Sequence, residues 1–207
     1  INPWIAQEAL GLIEIDYEQL TPVIDVLEAM KPEAPLIHPN LYTNLSTKSP
    51  TDKSTTPSNI VWHLDYGRGD VEAGFKEADV VLENTFRTQR VHQGYLEPHT
   101  AVANVDLEGK VTVWTASQGI FRIRDLIARF LNLPLSRIKV NPVEVGGAFG
   151  GKSTPLLSPL CALLALKTSR PVRMIMTREE DLTASRPAPP SVITLKMGVT
   201  NEGRLTA

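Results

Sequence analysis

The chain has 207 residues, of which 42% are hydrophobic and 21% charged, and a formal net charge of -2. This is the composition of an ordinary soluble globular protein, with no electrostatic footprint for nucleic acid or an anionic membrane. No apolar run approaches the ~20 residues of a bilayer span, and no signal peptide is visible. The lone Cys161, set among Leu160, Ala162 and Leu163, excludes an internal disulfide, is expected as a small buried hydrophobe and fits a reducing, cytoplasmic setting.

In chain order, Asn2-Pro3 supplies an N-cap and a first-position proline for a helix running to Leu10 and stopped by Gly11. The alternation Leu12-Ile13-Glu14-Ile15-Asp16-Tyr17 predicts a half-buried strand with Glu14 and Asp16 on its solvated face. A short helix is expected over Ile24 to Met30. Pro, Ser and Thr then accumulate, and Asn44 to Ser58 reads as a mobile surface connection and a candidate domain boundary. His38 is read as a plain loop histidine. Ile60 to His63 reads as a short strand and Gly67 to Asp70 as a turn, with Asp70 capping a helix through Ala78. Val80 to Gln93 reads as a long strand burying Val80, Leu82 and Phe86.

Thr100 to Val105 and Lys110 to Thr115 flank Asp106-Leu107-Glu108-Gly109, the turn of a hairpin. Ile120, Ile123, Ile127, Phe130 and Leu131 recur at helical spacing, and Asn132 and Pro134 end that helix. Ile138 to Val140 and Val143 to Val145 read as a buried strand, and Leu156 to Leu166 as a helix. Pro171 to Met176 and Ser191 to Val199 are further strands, and Asn201-Glu202-Gly203 turns a last hairpin. Glu179, Glu180 and Asp181 read as a solvated acidic turn. The class is α+β. With Ile as its first residue, the chain is expected to be a piece of a longer one.

Four of the 13 glycines fall within Gly146-Gly147-Ala148-Phe149-Gly150-Gly151, followed by Lys152-Ser153. Such a strand-to-helix turn lets backbone come close to an anion or a bulky cofactor. By pattern, Gly146 to Ser153 satisfies the phosphate-binding P-loop, in which the lysine reaches phosphate oxygens and the serine holds Mg²⁺. Pro159 counts against this, because it would lie inside the helix that a P-loop requires; Ser158-Pro159 suits a fresh helix start instead. The strand Val172 to Thr177 also lacks a carboxylate at its tip for Mg²⁺.

Gly146 to Lys152 resembles the signature loop of the molybdenum hydroxylases, the molybdopterin-binding large subunits of the xanthine dehydrogenase/aldehyde oxidase family. Similar motifs stand in order around it: Gly69-Asp70-Val71-Glu72, Phe75, Ala78-Asp79, Tyr95-Leu96-Glu97-Pro98 and Thr115-Ala116-Ser117-Gln118. Ala9 to Ala29 resembles the end of the α/β hammerhead domain of that family. The resemblance implies residues 1–43 as the C-terminal part of the hammerhead, 44–59 as a linker, and 60–207 as the first part of a mixed α+β molybdopterin-binding domain. It implies a molybdenum–molybdopterin cofactor, in a dinucleotide form, with iron–sulfur clusters and FAD on partner subunits or domains, in a dimer of heteromers. The activity implied is hydroxylation of an aldehyde or N-heterocycle with oxygen from water.

By the same resemblance, Gln118 and Ser153 are the candidate catalytic residues. Gln118 would hydrogen-bond an oxygen ligand of the metal, because an amide donates without adding charge. Gly146, Gly147, Ala148, Phe149 and Gly150 would line the cofactor. Gln118 and Phe149 would form the molybdenum environment without ligating it. Ser153 departs from the purine-oxidising branch, where a glutamate follows the lysine, and so argues against xanthine as substrate. Glu97 reads as structural, and His92 and His99 as ordinary hydrogen-bonding residues. The isolated chain is expected to bind no molybdenum and to be inactive.

Overall fold

A computed structural model describes residues 2–46, 49 and 51–207. The chain divides into two compact units, Ile1–Val71 and Glu72–Ala207.

In the first unit, helix α1 (Pro3–Leu10) starts as expected, with the Asn2 side chain accepting from Ile5 N at 3.0 Å. Helix α2 (Val26–Ala29) is capped by the Asp25 carboxylate, which accepts from Leu27 N and Glu28 N. Between them Leu12 to Tyr17 forms no strand. Its alternation asks for a neighbouring backbone, and among the described residues no strand pairs with it, which leaves Leu12 and Tyr17 exposed.

The expected mobile connection over Asn44 to Ser58 is corrected in part. Strand β1 (Tyr42–Asn44) pairs antiparallel with β2 (Lys53–Pro57), and Thr43 N donates to Ser54 Oγ at 2.9 Å. Residues 47, 48 and 50 of that stretch lie outside the described residues. Asn59 then holds the preceding turn: its Nδ2 donates to Ala29 O and Pro35 O, and its Oδ1 accepts from Ile37 N. Ile60 to His63 shrinks to a single bridge between Trp62 and Asn44.

The second unit starts in helix α3 (Val71–Glu77) and holds two sheets. Strand β3 (Val80–Thr88) pairs antiparallel with β8 (Ser191–Val199) along nine residues of each. The strand exists as expected but ends at Thr88, and its supposed buried face is open. Val80, Leu82 and Phe86 are all exposed, because a two-stranded ribbon covers neither of its own faces.

The four-stranded sheet runs β6-β5-β4-β7, from β4 (Thr100–Val105), β5 (Val111–Thr115), β6 (Ile138–Pro142) and β7 (Val172–Ile175). β4 is antiparallel to both of its neighbours, and β5 and β6 are parallel. The β4–β5 turn forms as expected, with Asp106 Oδ1 accepting from Glu108 N and Lys110 N and Gly109 at φ +78°.

Helix α4 (Ile120–Leu131) crosses between the parallel strands and ends at Asn132 in the left-handed region, φ 53°. Helix α5 starts at Ser158, not at Leu156, and runs to Thr168 with Pro159 in its first turn. The alternating inward residues Ala101, Ala103, Val111 and Val113 pack with Ile123, Ile127, Cys161, Ala162 and Ala165 in one core. Cys161 is fully buried, and burial raises its thiol. No strand forms over Val143 to Val145, which lead as coil into the glycine loop. No helix of the described residues is long and apolar enough to cross a membrane.

Candidate functional site

The turn Tyr95 to His99, between β3 and β4, is gripped from two sides. On one side stands helix α6 (Arg178–Ala184), started by a capping box: Glu180 N donates to Thr177 Oγ1, and Thr177 N donates to Glu180 Oε2. Arg178 and Asp181, three residues apart, therefore share a face. Asp181 is fully buried, which corrects the expected solvated acidic turn; only Glu179 and Glu180 are solvent-facing. His99 Nδ1 lies 2.7 Å from Asp181 Oδ1, and Tyr95 Oη donates to the same oxygen at 3.3 Å. Arg178 donates to Asp181 Oδ2 at 3.3 Å and also to the carbonyls of Tyr95 and Leu96. Burial, with the Asp181 charge beside it, pushes the Tyr95 hydroxyl above its usual 10.0.

On the other side stands the glycine loop. A single oxygen, Glu97 Oε2, accepts from Gly146 N at 2.8 Å and from Lys152 Nζ at 2.6 Å. Glu97 N donates back to Gly146 O at 3.2 Å. Lys152 is only 1% exposed, and its ammonium also lies 4.9 Å from the Tyr95 ring centroid. Burial alone would raise the Glu97 carboxyl. The hydrogen bonds from Lys152 and Gly146, with the lysine charge, outweigh burial and hold the group below its usual 4.5.

Most of the glycines serve this internal grip. A Cβ on Gly146 would stand 2.6 Å from Glu97 Cβ, and one on Gly151 2.8 Å from Tyr95 Cε1. The close approach expected of a cofactor is thus made largely by the chain's own Tyr95 and Glu97. The outward side differs. Gly150, at φ +92°, has no atom within 4 Å of where a Cβ would be, and Phe149 is 76% exposed in the left-handed region. Ala148 is buried beneath them.

The Thr115 to Gln118 element meets the far end of the loop. Gln118 N donates to Lys152 O at 3.1 Å, Ser117 Oγ to the same carbonyl at 3.4 Å, and Gln118 itself is exposed. Ser153 Oγ donates to Gly150 O at 2.9 Å and so folds back onto the loop. Lys152 O thus ties Gln118 to the end of the loop, and Ser153 ties back to Gly150, whereas Gly146 faces Glu97 and Gly147 faces Tyr95 with the edge of the Phe149 ring also close to it. Glu97 and Asp181 organise the site through residues far from them in sequence, Lys152 and Gly146 for the first and Tyr95 and His99 for the second. Among the described residues no group of three or more His, Cys, Asp or Glu could hold a metal directly.

The P-loop reading fails on this geometry. Lys152 is committed to Glu97, Gly146 N points at the same carboxylate, and α5 begins only at Ser158.

The molybdopterin cofactor-binding domain family model matches residues 52–207. The chain belongs to the molybdenum hydroxylase family. It is 36% identical over 206 residues to the nicotinate dehydrogenase large molybdopterin subunit of Eubacterium barkeri, covering 100% of itself and 44% of that relative. It is 29% identical over 207 residues to the carbon monoxide dehydrogenase large chain of Afipia carboxidovorans, covering 99% of itself and 25% of that relative. The CO dehydrogenase structure from Oligotropha carboxidovorans superposes with a TM-score of 0.75 at 29% identity, over 98% of this chain and 25% of that one. The chain thus spans less than half the length of these relatives.

Proposed function

We propose that the chain is part of the large subunit of a molybdopterin-dependent oxidoreductase. That enzyme hydroxylates an aldehyde or N-heterocycle with oxygen drawn from water and passes electrons to iron–sulfur and FAD partners. The observation that carries this reading is the seating of Gln118 against the end of the glycine loop, N–H to Lys152 O at 3.1 Å, in a loop whose Phe149 is exposed. The donors on this side are an amide and backbone groups, which suit a metal already ligated by its own cofactor. The free space around Gly150 suits the approach of a bulky group.

When bound, a molybdenum–molybdopterin group, in a dinucleotide form, supplies the redox chemistry. The Gln118 amide orients that group by hydrogen bonding without adding charge. With that group bound, the Phe149 ring, solvent-exposed without it, would shield its side of the loop from water. Ser153 contributes a neutral hydroxyl where a purine oxidiser would need a carboxylate, and its bond to Gly150 O keeps it on the loop. The substrate is therefore an aldehyde or a heterocycle other than xanthine. A relative named as a nicotinate dehydrogenase supports the heterocycle.

In this reading residues 1–43 belong to the end of a hammerhead domain and 60–207 to the molybdopterin-binding domain, and the family match, which reaches back to residue 52, takes in β2 as well. The assembly is a cytoplasmic dimer of heteromers. The test is the full-length subunit with its partners. Metal analysis should find stoichiometric molybdenum, and turnover in isotopically labelled water should label the product. Gln118→Ala should lower kcat by roughly 100-fold, the scale of losing one positioned donor. A full-length subunit without molybdenum overturns the reading. The 207-residue chain alone should hold none.

A further inference from the structure

We propose that Glu97 is a positioning residue that acts through Lys152 on Gln118. The proposal rests on the molybdopterin reading for its functional consequence, though not for its geometry. Lys152 is the middle link. Its ammonium is held by Glu97 Oε2 at 2.6 Å, and its carbonyl receives Gln118 N at 3.1 Å and Ser117 Oγ at 3.4 Å. The lysine is 1% exposed, so its side chain has no water to fall back on and one arrangement dominates.

The same Glu97 oxygen takes Gly146 N at 2.8 Å, so one carboxylate sets both ends of the loop that carries Phe149 and Gly150. Glu97 is itself fixed at its backbone by Gly146 O, while Arg178 holds the carbonyls of Tyr95 and Leu96 just before it. A rigid turn, a buried ion pair and a backbone hydrogen bond therefore run in series from α6 to the backbone N–H of Gln118. Charge is also settled along this path: the lysine is neutralised inside, and the outward face keeps neutral donors.

The test uses Glu97→Gln and the double variant Glu97→Gln/Lys152→Met, which leaves no buried charge unpaired. In the full-length subunit without its metal, amide exchange is compared between Gln118 and Gly146 on one hand and the core strands β4 and β5 on the other. The expected result is a rise of roughly tenfold or more at Gln118 that exceeds any rise in β4 and β5. In the full-length holoenzyme, kcat should fall roughly tenfold with KM changed less than about twofold, and the electron paramagnetic resonance signal of the metal should alter.

A purely structural pair would behave otherwise. The double variant would then show the parent exchange at Gln118, the parent kcat and the parent signal, or exchange would rise equally everywhere. Either result overturns the proposal. Failure of the molybdopterin reading is distinguishable: the unaltered subunit would hold no molybdenum, while the exchange comparison would still decide the coupling.

Discussion

Glu97 Oε2 lies 2.6 Å from Lys152 Nζ, and the two partners are unequally buried, with side chains 31% and 1% exposed respectively. The inequality sets what each substitution does. Glu97→Gln strands a cation that water cannot reach and should cost about 3–5 kcal/mol. Lys152→Met leaves a carboxylate that keeps Gly146 N and partial hydration, and should cost nearer ~1 kcal/mol. Urea unfolding of both single variants reads this asymmetry directly. Equal losses would contradict it.

The same pair predicts an acid limb. The folded Glu97 carboxyl is held below its usual 4.5, so its contribution to stability is present above that value. It is lost as pH falls through the lower folded value. Chemical unfolding at pH 7 and at successively lower pH should show a smaller acid loss in Glu97→Gln/Lys152→Met than in the parent chain.

Two loop glycines should respond in different ways. Gly146→Ala drives a Cβ to 2.6 Å from Glu97 Cβ, an overpacking that should cost about 1–3 kcal/mol. Gly150→Ala meets no atom and carries only the strain of φ +92°, about 1 kcal/mol. Only Gly146→Ala should disturb the exchange of the Gln118 amide, which hydrogen-exchange mass spectrometry can measure.

Asp181 offers a test on the other side of the turn. It is fully buried and receives Tyr95, Arg178 and the His99 ring. Asp181→Asn removes the charge and turns one acceptor into a donor, at a cost of about 2–3 kcal/mol. The loss should appear in thermal or urea unfolding, together with weaker exchange protection of α6.

Residue 132 gives a helix-end control. Asn132 sits at φ 53°, where glycine is unstrained and other residues are not. Asn132→Ala should cost about 1 kcal/mol, and Asn132→Gly should be neutral or slightly stabilising. Thermal unfolding of the pair decides it.

The elements legible in the sequence carry their own short-range causes. Asn2 caps α1, Asp106 organises the β4–β5 turn, and α4 shows its stripe through Ile123 and Ile127. The order of motifs around Gly146 likewise marks the family without any knowledge of packing. The failures share one physical origin. Leu12 to Tyr17 has the pattern of a strand but no partner among the described residues, and β3 has a hydrophobic pattern that nothing in its ribbon covers. Pattern states what a segment can bury, whereas burial depends on which neighbour arrives.

The sequence by itself determined the α+β class, the glycine loop and the presence of Gln118 before α4. Each follows from propensity, capping or residue order within a few turns of chain. Only the tertiary structure decided that Lys152 is a buried partner of Glu97 and that Asp181 lies inside. Those facts rest on desolvation and on the meeting of charges across the sequence separations Glu97 to Lys152 and His99 to Asp181, which packing alone creates.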